Sequence, residues 1–564
     1  MDKNDAKKIL QKGHQNFITK NYSAARESWL KLLEIDPDNI SLLNSITLTY
    51  YYENKLDDTE KFLKKIININ LSAPKALSML ILILEQQDKI LEAKKFIKLG
   101  LDKKVLGTHW KILMQTMSPV IKFSNDEIKE TRLEIEKNID NIVNDDKKYN
   151  FNIDTHLIKP LQFSLSYDQY DNLELNKKCV NFYKKIYPEL NKKINYIKNV
   201  SSGKIKIGFI SEYLTDHTIG KLFKGVILRL DQNIFDVIVF HTEKTKKGII
   251  LNQFKDAEKK GIIKNYFLPS NFNEKQKIIL NEKLDILFYP EIGLSLELYY
   301  LSFIKLANYQ ITSWGHPETT GNPSIDYFLT SKLIETNESK KNFSEKLVYL
   351  DYLPMYYYTP LVKNEINETD LSKNNIYSCP QTLQKLHPEF DLIIGEILAQ
   401  DKKAKIYFIK DVNNILFKKL IDRFKKNKKI DLKRIKFLDG FNWEEYINHC
   451  GKASVLLDPI YYGAGNSFYE SVFYGTPTVT MPTKYTKSRL VLGAYNQIDI
   501  SDLDFNPITK SINEYVEKAI EIGNSKNLYD LKKNIQLRAK KNLYEREEVI
   551  ANFEKVFKEI VHYL

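Results

Sequence analysis

Cysteine is scarce in this chain of 564 residues, and the cysteines present lie far apart. Cys179, Cys379 and Cys450 are odd in number and widely spaced, so the sequence offers neither a disulfide framework nor a zinc-ligand spacing. This usage is typical of a reducing compartment, and we predict a cytoplasmic protein without a metal site.

Long apolar runs are also missing. The longest one, residues 76–84, is interrupted by Ser78 and is far shorter than the ~20 residues of a membrane-spanning helix. The first ten residues, MDKNDAKKIL, are charged and lack the apolar core of a secretory signal peptide. The sequence therefore predicts no membrane partner and no export signal.

Positive charge is abundant but not concentrated. The formal net charge is +13, which would ordinarily suggest nucleic acid as a partner. Lysine is instead spread along the whole chain, and the densest basic stretch, residues 418–433, is typical of the solvated face of a helix. We predict no nucleic-acid partner. The length exceeds what one core supports, and about two to four domains are expected.

The first hundred residues repeat with a period of 34, the spacing of tetratricopeptide repeats. Stacked helical pairs of this kind form concave surfaces that bind extended peptides or other proteins. We predict repeats over residues 1–104 and a helical connector over residues 105–200; an unrelated helical bundle with accidental periodicity is the alternative. The recurring positions are large apolar (Tyr22, Leu56, Ile90), small (Ala25, Thr59, Ala93) and aliphatic (Leu33, Ile67, Leu101).

Short β-rich runs alternate with amphipathic stretches after Gly203, a pattern that predicts parallel sheets flanked by helices. Two such series predict two doubly wound α/β domains, over residues 201–365 and 366–564. Ligands bind beyond the carboxyl ends of such strands, so a cleft between the domains is the expected site. The runs lie at residues 204–210, 235–240, 284–289, 309–314 and 325–330, and at 375–379, 404–410, 434–440, 454–459 and 476–482.

The segment at residues 454–482 predicts an anion site. A strand is followed by a loop with Gly465, Asn466 and Ser467, and then by a helix that carries Glu470. Glycine lets the backbone approach an anion, and unpaired N–H groups at the helix start suit a diphosphate. Glu470 could accept hydrogen bonds from ribose hydroxyls. The spacing differs from a Walker loop, and a glycine-rich turn of this kind also occurs for structural reasons alone.

A second basic element follows the first strand of the same domain. Thr382 and Lys385 lie three residues apart at an expected helix start, so they should point the same way. A lysine there could neutralise the charge of a leaving diphosphate, the role of a metal in other transferases. Most lysines in this chain are expected to be simply solvated.

Two histidines follow strands of the first α/β domain. His217 lies beyond the first strand, where it could exchange protons near neutral pH or hold a donor phosphate. His316 precedes Pro317, a rigid turn that fixes its direction. Either histidine could instead be structural.

Six segments in this order resemble glycosyltransferase family 41, which contains protein O-GlcNAc transferase, the SPINDLY-like proteins and bacterial N-glucosyltransferases of adhesins. The resemblance covers roughly residues 204–500, and the repeats match the family's usual arm. It implies a GT-B fold, with two Rossmann-like lobes and no metal. The segments are GFISEYLTDHTIGKL, LDILFYPEIG, ANYQITSWGHPETTGNPSIDYFLTS, FSEKLVYL, QTLQKLHPEF and DPIYYGAGNSFYESVFYGTPTVTMP.

The resemblance also assigns residues. His217 is similar to the family's active-site histidine, and Lys385 to its diphosphate lysine. The other implied contacts to the nucleotide sugar are Thr382, Asn466, Ser467 and Glu470. From the residues alone, we also predict that Gly465 and His316 bind the nucleotide sugar. Tyr446 departs from the family, because it occupies the position of a nucleotide-contacting histidine.

The implied reaction is an inverting transfer of GlcNAc or a hexose from a UDP-sugar to a protein side chain, without a cofactor. The acceptor protein would be bound through the repeat arm. Two alternatives stay open: a SPINDLY-like use of GDP-fucose, and an inactive tetratricopeptide scaffold.

Overall fold

A computed structural model describes residues 3–156, 158–194, 203–362 and 375–562. The chain forms two compact units, residues 1–121 with 412–419, and residues 122–411 with 420–564. The expected domain boundaries after residues 200 and 365 lie outside the described residues. In the described part, no helix is both long and apolar enough to cross a membrane.

The first unit is a stack of helices in which each packs on the next one in sequence. Tyr22, Leu56 and Ile90, the large apolar positions of the 34-residue period, are the first residues of the second, fourth and sixth helices. The small positions Ala25, Thr59 and Ala93 are fully buried, as close helix crossings require. The helices are α1 (Lys3–Ile18), α2 (Tyr22–Leu33), α3 (Ile40–Tyr52), α4 (Leu56–Ile69), α5 (Pro74–Gln86), α6 (Ile90–Asp102) and α7 (Thr108–Thr116).

The second unit begins with the helical connector. Its longest helix starts at an N-cap, where the Ser124 side chain accepts a hydrogen bond from the backbone N–H of Glu127. The connector's core is apolar and includes the buried thiol of Cys179. Its helices are α8 (Asn125–Val143), α9 (Leu161–Leu165) and α10 (Leu173–Ile186).

The first lobe is a seven-stranded parallel sheet with the strand order β3-β2-β1-β4-β5-β6-β7. All five predicted strands are present. The sequence did not predict β3 and β7; in β3 exposed residues interrupt the apolar pattern, whereas β7 is a short run that follows a single exposed residue. The elements are β1 (Ile205–Ile210), α11 (Thr218–Arg229), β2 (Phe235–Thr242), α12 (Ile249–Lys259), β3 (Lys264–Leu268), α13 (Phe272–Asn281), β4 (Ile286–Tyr289), α14 (Leu296–Leu301), β5 (Tyr309–Ser313), β6 (Tyr327–Ser331) and β7 (Lys346–Leu350).

The second lobe is a five-stranded parallel sheet with the order β10-β9-β8-β11-β12, and all five strands were predicted. Within the basic stretch, the helix ends at Phe424, earlier than predicted. The elements are β8 (Ile376–Cys379), α15 (Phe390–Gln400), β9 (Lys405–Ile409), α16 (Ile415–Phe424), β10 (Ile435–Leu438), α17 (Trp443–Lys452), β11 (Val455–Leu457), α18 (Asn466–Ser471), β12 (Thr478–Val479), α19 (Leu490–Ile498), α20 (Ile512–Gly523) and α21 (Leu528–Asn542).

The last helix, α22 (Glu547–His562), returns from the second lobe to the first. The ring of Phe557 packs edge-on against Phe209, Phe235 and Phe288, with centroid distances of 6.0–6.4 Å. These partners lie on β1, β2 and β4, so residues far along the chain complete the core of the first lobe.

Candidate active site

The first lobe contributes His217 as the N-cap of α11. Its Nδ1 accepts a hydrogen bond of 3.3 Å from the backbone N–H of Ile219, and its ring contacts Tyr213 at a centroid distance of 4.6 Å. Burial, helped by the positive charges of Lys221 and Lys246, lowers the pKa of His217 to about 4.

These contacts define what His217 can do chemically. The ring is neutral at pH 7, and an Nδ1 that accepts a hydrogen bond carries no hydrogen. The hydrogen therefore lies on Nε2, which makes Nε2 a donor. This tautomer favours a role in orienting reacting groups or holding a phosphate over the removal of a proton.

Lys221, one turn after His217, joins the two lobes. Its ammonium group pairs with Oε1 of Glu470, which lies on α18 of the second lobe. The same Oε1 accepts a 2.9 Å hydrogen bond from Nε1 of Trp443, and the ammonium lies 5.5 Å from the centroid of the Trp443 ring. The carboxylate that was predicted to bind ribose is thus buried and held by protein groups at the lobe interface.

The glycine-rich loop follows β11 and ends at α18. Buried Asp458 shapes it, because its carboxylate accepts hydrogen bonds from the N–H of Ala464 at 2.6 Å and the hydroxyl of Thr480 at 2.7 Å. A Cβ on Gly463 would lie 3.0 Å from Oδ2 of Asp458, a tight contact that the Asp458 side chain would have to relieve by a shift of a few tenths of an ångström. Gly465 is the N-cap of α18.

The first two residues of α18 also have partners. Oδ1 of Asn466 accepts a 2.9 Å hydrogen bond from the hydroxyl of Tyr357, and Oγ of Ser467 accepts one of 2.6 Å from Nε2 of Gln381. Across the described residues, the backbone N–H groups of these two residues form no hydrogen bond. They are available to a ligand.

Lys385 lies beside this loop. Its Nζ donates hydrogen bonds to Oε1 of Gln381 at 2.9 Å and to the carbonyl of Gly463 at 3.0 Å, and it faces the ring of Tyr462 at 5.2 Å. Burial lowers the pKa of Lys385, although the negative charge of Asp458 opposes this effect. Lys385 forms no ion pair with any described carboxylate, so its contacts are with neutral acceptors.

Two further predicted residues, Thr382 and Tyr446, flank Lys385 and the glycine-rich loop. Thr382 is exposed and precedes a single 3-10 turn that ends at Lys385, whereas the predicted helix begins only at Phe390. Tyr446 is half-buried on α17, and its hydroxyl donates a hydrogen bond of 3.3 Å to the carbonyl of Pro380.

His316 lies at a different junction. Its Nε2 is 3.2 Å from Oγ of Ser166, and its ring is 5.6 Å from that of Phe163, both in the connector. Burial lowers the pKa of His316, and its Nδ1 has no hydrogen-bond partner in the described part of the chain.

The structure brings most of the predicted residues together. Lys385, Asn466, Ser467, Glu470 and Tyr446 surround the loop of the second lobe, and Lys221 links them to the helix capped by His217. Sequence reasoning missed the partners, which are Lys221, Tyr357, Gln381, Trp443 and Asp458. Two of them carried a signal, since Lys221 lies four residues after His217 and Gln381 directly precedes Thr382.

Among the described residues, no group of three or more histidine, cysteine, aspartate or glutamate side chains could hold a metal ion.

The known proteins that are similar in sequence to this chain include proteins named as glycosyltransferases of peptides or proteins. The "Probable UDP-N-acetylglucosamine--peptide N-acetylglucosaminyltransferase SPINDLY" of Solanum lycopersicum is 20% identical over 387 residues, which are 67% of this chain and 40% of that protein. The "UDP-glucose:protein N-beta-glucosyltransferase" of Actinobacillus pleuropneumoniae is 22% identical over 273 residues, 46% of this chain and 43% of that protein.

Comparison with solved structures identifies the fold. A mutant of the Thermobaculum terrenum O-GlcNAc transferase matches with a TM-score of 0.69 and 14% identity, over 99% of this chain and 98% of that one. The chain is similar in sequence to proteins that are named as protein glycosyltransferases, and it shares its fold with this O-GlcNAc transferase. Its fold is GT-B, as predicted, with two Rossmann-like lobes after an α-helical region.

The chain covers only part of the curated proteins it matches. It spans about two fifths of the length of the tomato protein and of the Actinobacillus enzyme. No protein-family model matches the chain.

Proposed function

We propose that the chain is an inverting protein glycosyltransferase that transfers GlcNAc or a hexose from a UDP-sugar to a protein side chain. The names of the relatives support this proposal, because one pairs UDP-N-acetylglucosamine with a peptide and another pairs UDP-glucose with a protein. The donor would bind against the glycine-rich loop of the second lobe.

The observation that carries the proposal is the environment of Lys385. Lys385 is half-buried, and both hydrogen bonds of its ammonium group go to neutral oxygens, on Gln381 and Gly463. Asp458 acts on this charge without forming an ion pair with it, and a diphosphate would supply a directly paired counter-ion. The free backbone N–H groups of Asn466 and Ser467 would bind the same anion.

The proposed reaction is a single displacement at the anomeric carbon. An acceptor oxygen or nitrogen attacks this carbon from the face opposite the diphosphate, and the bond to the diphosphate oxygen breaks. The electron pair leaves with UDP, and the acceptor's proton passes to an oxygen of the departing diphosphate. Lys385 would stabilise the charge that develops there, a contribution of about 3 kcal/mol per well-placed donor.

His217 would act from the first lobe. Its Nε2–H would donate a hydrogen bond to the donor sugar, to a phosphate or to the acceptor group, and so fix their relative positions. A neutral ring suits this role because it binds without competing for protons near pH 7.

The repeat unit would bind the acceptor protein. Apolar side chains are exposed on the first helices of its second and third pairs, namely Leu48, Tyr51 and Tyr52 on α3 and Leu82 on α5. Exposed aromatic and aliphatic residues on stacked helical pairs favour contact with a protein chain.

A panel of nucleotide sugars tests the donor. The purified protein is incubated with UDP-GlcNAc, UDP-glucose, UDP-galactose and GDP-fucose in the presence of EDTA, and release of the nucleoside diphosphate is measured. We expect release from one UDP-sugar. Release from GDP-fucose alone would replace the donor assignment, and activity that EDTA abolishes would contradict the role given to Lys385.

Calorimetric titration with UDP tests whether the site binds at all. We expect heat of binding from the wild-type protein and much less from Lys385→Ala. No heat with UDP or GDP would favour an inactive scaffold and would overturn the proposal.

A further inference from the structure

A short part of the connector, residues 161–172, touches both lobes. This bridging segment comprises α9 and the turn that leads into α10. From α8, Arg132 holds its shape, with Nη1 2.9 Å from Oδ2 of Asp168 and its guanidinium 4.8 Å from the centroid of the Tyr170 ring. The sequence had assigned this region only a packing role.

On the first lobe, the bridging segment binds Glu318, two residues after His316. Buried Glu318 accepts hydrogen bonds from Oγ of Ser166 at 2.8 Å and from Nδ2 of Asn172 at 2.8 Å. Buried Lys487 of the second lobe pairs with the same carboxylate at 2.7 Å, and its Nζ also donates to the carbonyl of Tyr170. The segment is therefore anchored where the two lobes meet.

On the second lobe, the bridging segment reaches the proposed donor site through Tyr167. Its hydroxyl accepts a 2.9 Å hydrogen bond from Nε2 of Gln384, the residue before Lys385. Its ring contacts Tyr462 at a centroid distance of 4.8 Å, and Tyr462 is the ring that faces the Lys385 ammonium. Gln169 adds a contact of 3.0 Å from its Oε1 to Nε2 of His387.

Tyr167 thus contacts both structures that hold Lys385. One is the 3-10 turn that carries the lysine, and the other is the aromatic ring beneath its ammonium group. If Tyr167 were removed, Gln384 would lose a partner and Tyr462 would gain freedom to move. Water would then reach more of the half-buried Lys385 side chain, because the ring of Tyr462 lies against its ammonium group.

We propose that Tyr167 is a positioning residue for Lys385, so that the connector supplies part of the wall of the diphosphate site. This inference rests on the proposed function, since it assigns Lys385 to a nucleoside diphosphate. The geometry points to Tyr167 because it is the residue through which the bridging segment touches both the turn and the ring.

The test uses the full chain and UDP as the probe. Affinity is measured by calorimetry over a pH series for the wild type, Tyr167→Ala and Tyr167→Phe. We expect Tyr167→Phe, which keeps the ring, to weaken binding about fivefold, the effect of one lost hydrogen bond. We expect Tyr167→Ala to weaken it at least tenfold.

The pH profile separates positioning from folding. A rehydrated Lys385 regains a higher pKa, so the pH at which UDP binding declines should move upward in Tyr167→Ala. A purely structural defect would lower the melting temperature without moving this pH. Tyr170→Phe, in the same segment, is the matched control and should bind UDP as the wild type does.

The outcomes are distinct. Wild-type affinity and an unchanged pH profile in both Tyr167 variants would overturn this inference and leave the proposed function intact. If Tyr167→Ala fails to fold, Tyr167→Phe decides through its affinity. Failure of the wild type itself to bind UDP would overturn the proposed function, and this inference with it.

Discussion

The two lobes share a parallel α/β architecture but treat their polar groups differently. In the first lobe, several polar groups at the strand ends have partners, as when the buried carboxyl of Glu291 accepts a hydrogen bond from Ser211 and His217 caps its own helix. In the second lobe, the ammonium of Lys385 forms no ion pair with a described carboxylate, although the negative charge of Asp458 acts on it. The comparison teaches that topology alone does not define a ligand site, and that a positive charge without a paired carboxylate marks the lobe for which we propose anion binding.

The largest effect is expected from removing the positive charge of Lys385. Lys385→Ala should reduce turnover by about 10²–10³-fold, because a donor that stabilises developing charge is lost. The measurement is release of the nucleoside diphosphate, with circular dichroism to confirm folding. Lys403→Ala, an exposed lysine of the same lobe, is the control and should leave the rate unchanged. An equal rate in the two variants would contradict the role of Lys385.

A second prediction concerns pH. Burial lowers the pKa of Lys385 below the ordinary lysine value of ~10.4, and only the protonated form attracts a diphosphate. UDP should therefore bind with its full affinity below the lowered pKa of Lys385. Above that pKa, the affinity should fall about tenfold per pH unit. Calorimetry over a pH series measures this decline. Lys385→Met should bind weakly at every pH, and a decline that persists in this variant would assign the titration to another group.

A third prediction concerns the link between the lobes. Lys221→Met leaves the buried carboxylate of Glu470 without its cation, and should lower the apparent Tm by roughly 2–4 °C, the shift for about 1 kcal/mol at a partly exposed pair. Combining it with Glu470→Gln should lower the Tm by less than the sum of the two single changes. Differential scanning fluorimetry of the wild type, the two single variants and the double variant measures these shifts. Additive shifts would show that the Lys221–Glu470 pair does not couple the lobes.

The smallest effect is expected in the first lobe at His217. His217→Gln keeps an N–H donor near the position of Nε2 and should reduce kcat/KM only a few fold, whereas His217→Ala should reduce it further. Because its pKa lies at about 4, His217 stays neutral between pH 6 and 8 and should cause no change in rate there. A rate that rises with a pKa of 6 to 7 in the wild type, and not in His217→Gln, would instead indicate a general base.

Much of the fold could be predicted from the sequence, because its signals are local. The 34-residue period placed Tyr22, Leu56 and Ile90 at equivalent helix starts, and ten apolar runs became strands. β3 was missed because its exposed residues break the apolar run. The return of α22 to the first lobe left no local signal, since its apolar face is equally suited to either sheet.

The candidate binding residues could be named from the sequence, but the side chains that hold them could not. The glycine-rich loop and Lys385 have the residue types that the binding of a diphosphate requires. Trp443 and Tyr357 contact Glu470 and Asn466 only through tertiary packing, as does Tyr167 with the turn of Lys385. Such pairs are separated by tens to hundreds of residues, and no spacing rule in one sequence connects them.

The return of α22 has a consequence for biosynthesis. Phe557 fills a gap among the aromatic rings of the first sheet, about 200 residues after the last strand of that sheet has left the ribosome. At typical translation speeds, the nascent first lobe waits roughly 10 to 40 s for its final packing partner. During this interval its apolar surface is open, so newly made chains depend on shielding by chaperones more than the finished protein does.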